Sequence, residues 1–331
     1  MNESFIHMKH ITLFFRSAAA QTGAVMNKKL KKIAGGCILW FTGFTLAGCF
    51  SPGGERIVNE MVFDLNNISD LEIAYDEENV TFCDGRSEKL VIREYMTDDN
   101  RRYYANTEIQ GKRLHISEGG RPLFKDGFSC RVEVFLPASY NRDLTVSTTS
   151  GVIDMTQADL MLDSLRAETT SGEIRLEQVK AACLDLETTR GILDLGTLLA
   201  DQITIHSTEG RVNISRMEGN VNYTSTHGSL MVDAAVGAGI YQTSNDGLLQ
   251  LRYEKADGDL QFYNKNGDIL LTLPSSLAFE LEAVSRNGSV SADFGKDEKE
   301  EKGWVKGKNG SAPYVKISLE SRNGKLEIKK E

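Results

Sequence analysis

The fold is decided by Leu144-Thr145-Val146-Ser147-Thr148-Thr149-Ser150-Gly151-Val152-Ile153, which returns as Leu165-Arg166-Ala167-Glu168-Thr169-Thr170-Ser171-Gly172-Glu173-Ile174. Aligned on the glycine, the phrase recurs, increasingly degenerate, at Gly191, Gly210, Gly228, Gly247, Gly267, Gly288 and Gly324. Successive glycines lie 21, 19, 19, 18, 19, 20 and 21 residues apart, then 36, the last gap being one period plus an insertion. Self-similarity at a fixed short period marks a repeat architecture.

Reading outward from each glycine gives the local geometry. Seven residues before it stands an aliphatic residue, from Leu144, Leu165 and Leu184 through Ile240 to Ile317. Five before it the residue is mostly apolar, with Gln242 the exception. Two and four after it the residues are again apolar, as in Ile153 and Met155, Ile174 and Leu176, Leu326 and Ile328. Polar residues fill the positions between, so each repeat reads as two half-buried strands of period two. The parity jumps at the glycine, which predicts a corner at a residue with positive φ.

A meander of hairpins and a solenoid both satisfy this pattern, since Asn-Gly and Asp-Gly also make good hairpin turns. The solenoid is favoured because the Ser, Thr or Asn three before each glycine shares the inward parity of the aliphatics. Stacked hydroxyls satisfy one another along a ladder, and a meander has no reason to keep them in phase. A third apolar position in the early repeats (Ala158, Val179, Leu198, Met217, Ala235) adds a third short side. The expected fold is all-β: a single-domain, parallel β-helix-like β-solenoid of nine coils over residues 141–331, with a charged loop inserted at 295–313. That loop, with Trp304, is expected to project into solvent. Residues 59–140 lack the phrase but carry strand-like runs such as Leu71-Glu72-Ile73-Ala74-Tyr75, and read as irregular first coils plus a cap.

The N-terminal segment reads as an address. Met26 opens a basic stretch (Lys28, Lys29, Lys31, Lys32), followed by an apolar or small-residue run from Ile33 to Gly48 that suits a signal-peptide core better than a membrane span. It ends in Leu46-Ala47-Gly48-Cys49, which looks like the lipobox of bacterial lipoproteins. That likeness implies cleavage before Cys49 and lipidation of its thiol, with residues 26–48 as signal and 49–58 as a flexible tether. Residues 1–25 carry no signal logic and are expected to precede the true start at Met26.

Composition narrows the function. The 331 residues are 40% hydrophobic and 26% charged, with 30 glycines and only five prolines, which excludes collagen-like and proline-rich chains. The net charge is −9, and from Cys49 onward it is −14 (32 Lys/Arg against 46 Asp/Glu). Such a surface repels phosphate backbones, so no nucleic-acid partner is expected, and it disfavours electrostatic docking on anionic lipid. Cys83 and Cys130 form a candidate disulfide closing a ~47-residue loop, worth ~4 kcal/mol in a chain-entropy account, with buried or free thiols as the alternative. Cys183 reads as a packed small residue. His206 and His227 fall at different repeat positions, so no metal site is expected. No phosphate loop or nucleophile elbow is present, and no cofactor or catalytic residue is assigned.

Leu136-Pro137, the Leu144–Ile153 stretch, the Thr/Ser-x-x-Gly repeats and the closing Asn323-Gly324-Lys325-Leu326-Glu327-Ile328 together resemble the bacterial adhesin-like β-strand-repeat family of unknown function. The resemblance spans roughly residues 60–331 and implies a cell-envelope setting with no catalytic residues to carry over. The expected role is a non-enzymatic surface lipoprotein on the outer face of the cell membrane. It would hold the membrane through lipid on Cys49 and meet an envelope protein or wall polymer. The alternative is a β-helical enzyme acting on polysaccharide, which needs acidic residues converging on one face.

Overall fold

The computed structural model describes residues 54–85, 88–123, 127–293, 299–301 and 303–331. The export signal, Cys49, the tether up to residue 53, and residues 295–298 and 302 of the expected loop lie outside the described residues. Among the described residues every regular element is a strand, 22 in all. The chain enters on β1 (Arg56–Phe63), so the last three residues assigned to the tether are already sheet.

β2 (Asp70–Ala74) and β3 (Asn79–Gly85) flank the first corner, and β4 (Leu90–Met96) and β5 (Asn106–Gln110) follow. β6 (Arg113–Ser117) and β7 (Cys130–Pro137) make a second coil, and β8 (Asp143–Thr148) and β9 (Val152–Met155) flank Gly151. From there β10 (Leu160–Thr169), β11 (Glu173–Thr188), β12 (Ile192–Ser207), β13 (Arg211–Ser225), β14 (Ser229–Thr243) and β15 (Leu249–Asn264) run from corner to corner. β16 (Ile269–Leu273) leads to β17 (Phe279–Ser285) and β18 (Val290–Ala292), then β19 (Lys299–Glu301) and β20 (Trp304–Asn309). β21 (Val315–Ser321) and β22 (Leu326–Lys330) close the chain.

Coil-to-coil pairing from β8 through β16 is parallel throughout, with local register shifts between β12 and β13 and between β14 and β15, which identifies a solenoid and excludes the meander. Leu144, Leu165, Leu184, Ile203 and Val221 stack in one buried column. Val179, Leu198, Met217 and Ala235 form another, so the third side is real. Each fully buried aliphatic contributes about 1.5–3 kcal/mol of transfer free energy, and the columns make that gain repeat with every coil.

The glycine corner works differently from the sequence expectation. Of the nine phrase glycines only Gly247 has a positive φ, at 126°. The others are required by close approach: a Cβ on Gly172 would fall well inside contact with the carbonyl oxygen of Gly151, and one on Gly191 with that of Gly172. The hydroxyls do not bond one another either. Gly172 N donates to Thr169 Oγ1 (2.9 Å), Gly191 N to Thr188 Oγ1 (2.7 Å), and Gly324 N to Ser321 Oγ (2.8 Å). The inward hydroxyl thus satisfies a buried backbone donor within its own corner.

The anomaly at Gln242 has a structural cause. In the repeat ending at Gly247 the register is displaced by one residue: Val221 pairs with Gly239, Tyr223 with Tyr241 and Ser225 with Thr243. Ile240 therefore faces out, 40% exposed, while Tyr241 fills the inward slot beside Gly239. Its corner holds one extra residue, which Gly247 absorbs in the left-handed region, and Thr243 Oγ1 is buried with no partner.

Both ends depart from chain order. β21 and β22 lie between β15/β16 and β17/β18, so the last coil in sequence is the penultimate one in space. At the other end β2/β3 lie between β6/β7 and β8/β9. The outermost parallel strands are then covered by antiparallel ones: β4 on β7, β1 on β4, β5 on β6, and β20 on β17. Residues 304–309, expected as part of a solvated loop, are this second cap, with Val305 buried. Pairing the outer edges antiparallel removes the template that would add further coils.

Gly172→Ala is expected to cost about 3 kcal/mol, because the coil below cannot retreat without breaking its own pairing. Gly111→Ala, at φ 63° with nothing near its Cβ, should cost only about 1 kcal/mol. Thr188→Val should cost about 2 kcal/mol by orphaning the Gly191 donor, whereas Thr243→Val should be neutral or stabilising. Urea unfolding of the four variants measures all of these.

Candidate functional site

The side preceding each glycine corner presents two outward ladders that run the length of the solenoid. One takes Glu168, Glu187, His206, Thr224, Gln242 and Tyr263 from successive coils; the other takes Arg166, Asp185, Thr204, Asn222, Ile240 and Gln261. Like charges stacked one coil apart repel, and Arg166 offsets this by pairing with Glu168, Asp185 and Glu187. At the corner itself an amide ladder follows the spatial order: Asn266 donates to Asn245 (2.8 Å), Asn323 to Asn266 (2.6 Å) and Asn287 to Asn323 (2.8 Å). His206 Nδ1 meets Thr224 Oγ1 on the flat side, whereas His227 Nε2 meets Asn245 Nδ2 at the corner. The two histidines do not converge. Among the described residues no group of three or more His, Cys, Asp or Glu is placed to hold a metal.

Among the described residues the concavities are shallow. One of about 200 Å³ lies beside Leu65, Tyr140 and Arg142. Another, about 460 Å³, runs along the third side over Ala181, Ala200, Gly219 and Gly237, with Lys180, Asp201, Glu218 and Asp257 at its rim.

A buried cluster of carboxylates with altered ionisation lies elsewhere, at the first corner. Pairing of Ala74 with Ser147 and Val80 with Ile153 sets Tyr75-Asp76-Glu77-Glu78 in the place that Thr148-Thr149-Ser150-Gly151 occupies one coil on. Tyr75 replaces the inward hydroxyl residue and donates from its phenol to the buried Glu94 Oε1 (3.1 Å), whose other oxygen accepts from Asn59 Nδ2 (2.7 Å) and Ala105 N (2.9 Å). Glu78 replaces the glycine. A side chain fits there because the next coil outward opens into the long 118–129 connection instead of a tight corner.

That connection supplies Glu118 and Arg121. Arg121 Nε lies 2.7 Å from Glu78 Oε1 and 3.4 Å from Glu118 Oε1, and Nη1 donates to the carbonyls of Tyr103 and Gly120. Glu78 is 6% and Arg121 9% exposed, so the pair is sealed from solvent. Burial, reinforced by the hydrogen bond with Glu78, pushes the Glu118 carboxyl from 4.5 up to about 7. Burial acts the same way on Glu78, but its hydrogen bonds with Glu118 and Arg121 outweigh it and hold that carboxyl low. The arrangement can share one proton between two carboxyls. Arg121, in contact with both carboxyls, occupies the position a substrate would need.

The candidate disulfide is not formed. Cys83 stands opposite Phe135, five residues along β7 from Cys130, a separation of about 16 Å at strand rise. Cys83 also faces outward while Cys130 has inward parity beside Arg121, and both are free thiols, as is the exposed Cys183. Burial pushes the Cys130 thiol up to about 12. The Glu78 cluster was missed in the sequence because its corner carries neither glycine nor hydroxyl phrase. Leu71, Ile73, Val80 and Phe82 give the signal, since their phase matches Leu144, Val146, Ile153 and Met155.

Ionising Glu118 opposes folding, so its contribution is full below the usual 4.5 and is lost as pH rises through about 7. Glu78 has the opposite sign, its contribution being present above 4.5 and fading as pH falls through its depressed value. Glu118→Gln is therefore expected to remove much of the drop in melting temperature between about pH 5 and about pH 8, measured by thermal scans in matched salt. An unchanged drop would show that Glu118 holds no extra proton.

The Toastrack DUF4097 family model matches residues 68–329. No curated protein matches the sequence. Similar solved structures include a candidate cell adhesion protein from Clostridium sporogenes, 12% identical over 82% of this chain and 99% of that one, with a TM-score of 0.26. A candidate adhesin from Parabacteroides distasonis is 9% identical over 82% and 96% of the two chains, with a TM-score of 0.43. One from Parabacteroides merdae is 11% identical over 82% and 95%, with a TM-score of 0.39.

Proposed function

The chain belongs to the Toastrack DUF4097 family, and on that premise we propose that it is a non-enzymatic surface module of the cell envelope, held to the membrane by lipid on Cys49. The observation that carries the binding role is the flat side with its two in-register ladders. A solenoid repeats each outward position once per coil, at about the 4.8 Å spacing of paired strands. Such a surface suits an extended, repetitive ligand such as a wall polymer, or the surface of an envelope protein, more than a small molecule. It also places Thr204, His206, Asn222, Thr224 and Gln242 side by side as hydrogen-bonding groups, clear of the Arg166 charge cluster.

The family name implies no chemistry, and the Glu78–Glu118 pair supports a structural role because Arg121 holds it. Lipid anchoring rests on the placement of Cys49 at the end of the apolar run. Acyl chains at about 0.8 kcal/mol per buried CH₂ would hold the body at the bilayer without a spanning helix.

Metabolic labelling with a lipid precursor is expected to mark the wild-type chain and to fail for Cys49→Ala; retained label would refute the anchor. For the surface role, the full chain should co-sediment with insoluble wall polymer, and His206→Glu with Thr224→Glu should weaken this about tenfold by adding like charge to the ladder. Release of new reducing ends from the polymer would instead favour the polysaccharide-cleaving alternative.

A further inference from the structure

The cap carries an apolar stripe on its outer face that the repeat region does not match. Val62 pairs with Val91, Val91 with Phe135, and Phe135 with Cys83, one residue from each of β1, β4, β7 and β3. Their neighbours Leu90, Ile92, Val134 and Phe82 are buried in the core, so by alternation these four project outward. Val62 is 52% exposed at the edge, and Ile57, also largely exposed, stands opposite Tyr95 on the same sheet.

The ion-paired residues beside the stripe nearly cancel, two arginines against three glutamates. Arg93 pairs with Glu60 (2.8 Å), and Arg131 with Glu55 (2.9 Å) and Glu133 (2.6 Å). The two guanidinium groups lie over aromatic rings, Arg93 at 4.9 Å from the centre of Phe135 and Arg131 at 3.6 Å from that of Tyr95. On a body of net charge −14, these five residues sum to only −1, so anionic headgroups repel this face far less than the body as a whole. Aliphatic, tyrosine and arginine side chains together suit the boundary between headgroup and acyl chain.

The chain's own connectivity names the occupant. Only six residues lie between Cys49 and Arg56 at the start of β1, a reach of at most about 25 Å. We propose that the outer face of β1, β4, β7 and β3 rests on the lipid surface, so that the lipidated tether and this stripe form one two-part attachment and the repeat region is held clear of the membrane. This rests on lipidation of Cys49. A short tether raises the local concentration of lipid to the millimolar range, so even a weak apolar contact is populated.

Cys83 lies in the stripe and Cys183 is exposed in the repeat region, so the chain carries its own probe and control. The full lipidated chain is reconstituted into phosphatidylcholine–phosphatidylglycerol vesicles and treated with a membrane-impermeant maleimide, with each cysteine read by peptide mass. Relative to soluble Cys49→Ala protein, Cys83 is expected to react about tenfold more slowly while Cys183 is unchanged, as for a docked state favoured about tenfold. Val62→Asp, at an exposed edge position, should restore Cys83 reactivity without loss of the acyl mass on Cys49. Equal Cys83 rates in vesicles and in solution, with the acyl mass present, would overturn docking and leave the anchor standing. Protection that persists in Cys49→Ala and grows with protein concentration would show a second copy on the face and also overturn it. Absence of the acyl mass would refute the anchor itself, and docking with it.

Discussion

Successive coils of this solenoid approach so closely at one corner that only a hydrogen atom fits between them. The carbonyl oxygen of each phrase glycine occupies the place where the next glycine's Cβ would be. Steric exclusion of this kind is stricter than conformational preference, because relieving it requires separating two hydrogen-bonded backbones. The inward Ser or Thr completes the corner by accepting the glycine N–H, which would otherwise be buried without a partner. Tight corners keep the coils in register, and register is what turns scattered aliphatics into buried columns and scattered polar residues into outward ladders.

Where the corner rule is relaxed, the structure shows what it costs. At Gly247 one extra residue is accommodated by a left-handed glycine, and the hydroxyl of Thr243 loses its role. At the first coil the rule ends because the coil beyond it has no tight corner. Glu78 then stands where glycine would, and its carboxyl, with Glu118 and Arg121, ties the cap to the coil stack through charge instead of close packing. Tyr75 and Glu94 do the same one step further inside.

A parallel stack has open edges at both ends, and each end treats them alike. The terminal coil in sequence is threaded into the penultimate place, β2/β3 at one end and β21/β22 at the other. A strand paired on both sides cannot fray alone, so the chain ends are held by two neighbours instead of one. Antiparallel strands then cover the outermost coils, and the cap nearest the tether also carries the apolar stripe with its ion-paired rim. The ladders of the repeat region and the stripe of the cap are thus chemically distinct surfaces on one body.

Most of the repeat region was legible in the sequence. Leu144 and its counterparts, the inward Thr or Ser, and the glycine recur at a fixed period, and both close packing and hydrogen bonding at a corner are local enough to leave a periodic trace. The third side was legible for the same reason, from Val179, Leu198 and Met217. What the sequence could not decide depends on contacts between residues far apart in the chain. The displaced register at Ile240 follows from which neighbours Tyr241 and Thr243 pair with. The swapped coil order at the ends cannot be read from spacing, because Gly288 and Gly324 carry the same phrase whichever lies outside. The Glu78–Glu118–Arg121 cluster and the separation of Cys83 from Cys130 depend on how the irregular cap strands align on the first coil. Periodicity determines what a coil is; only the tertiary structure decides which coil lies next to which, since a shared pattern fits every neighbour equally well.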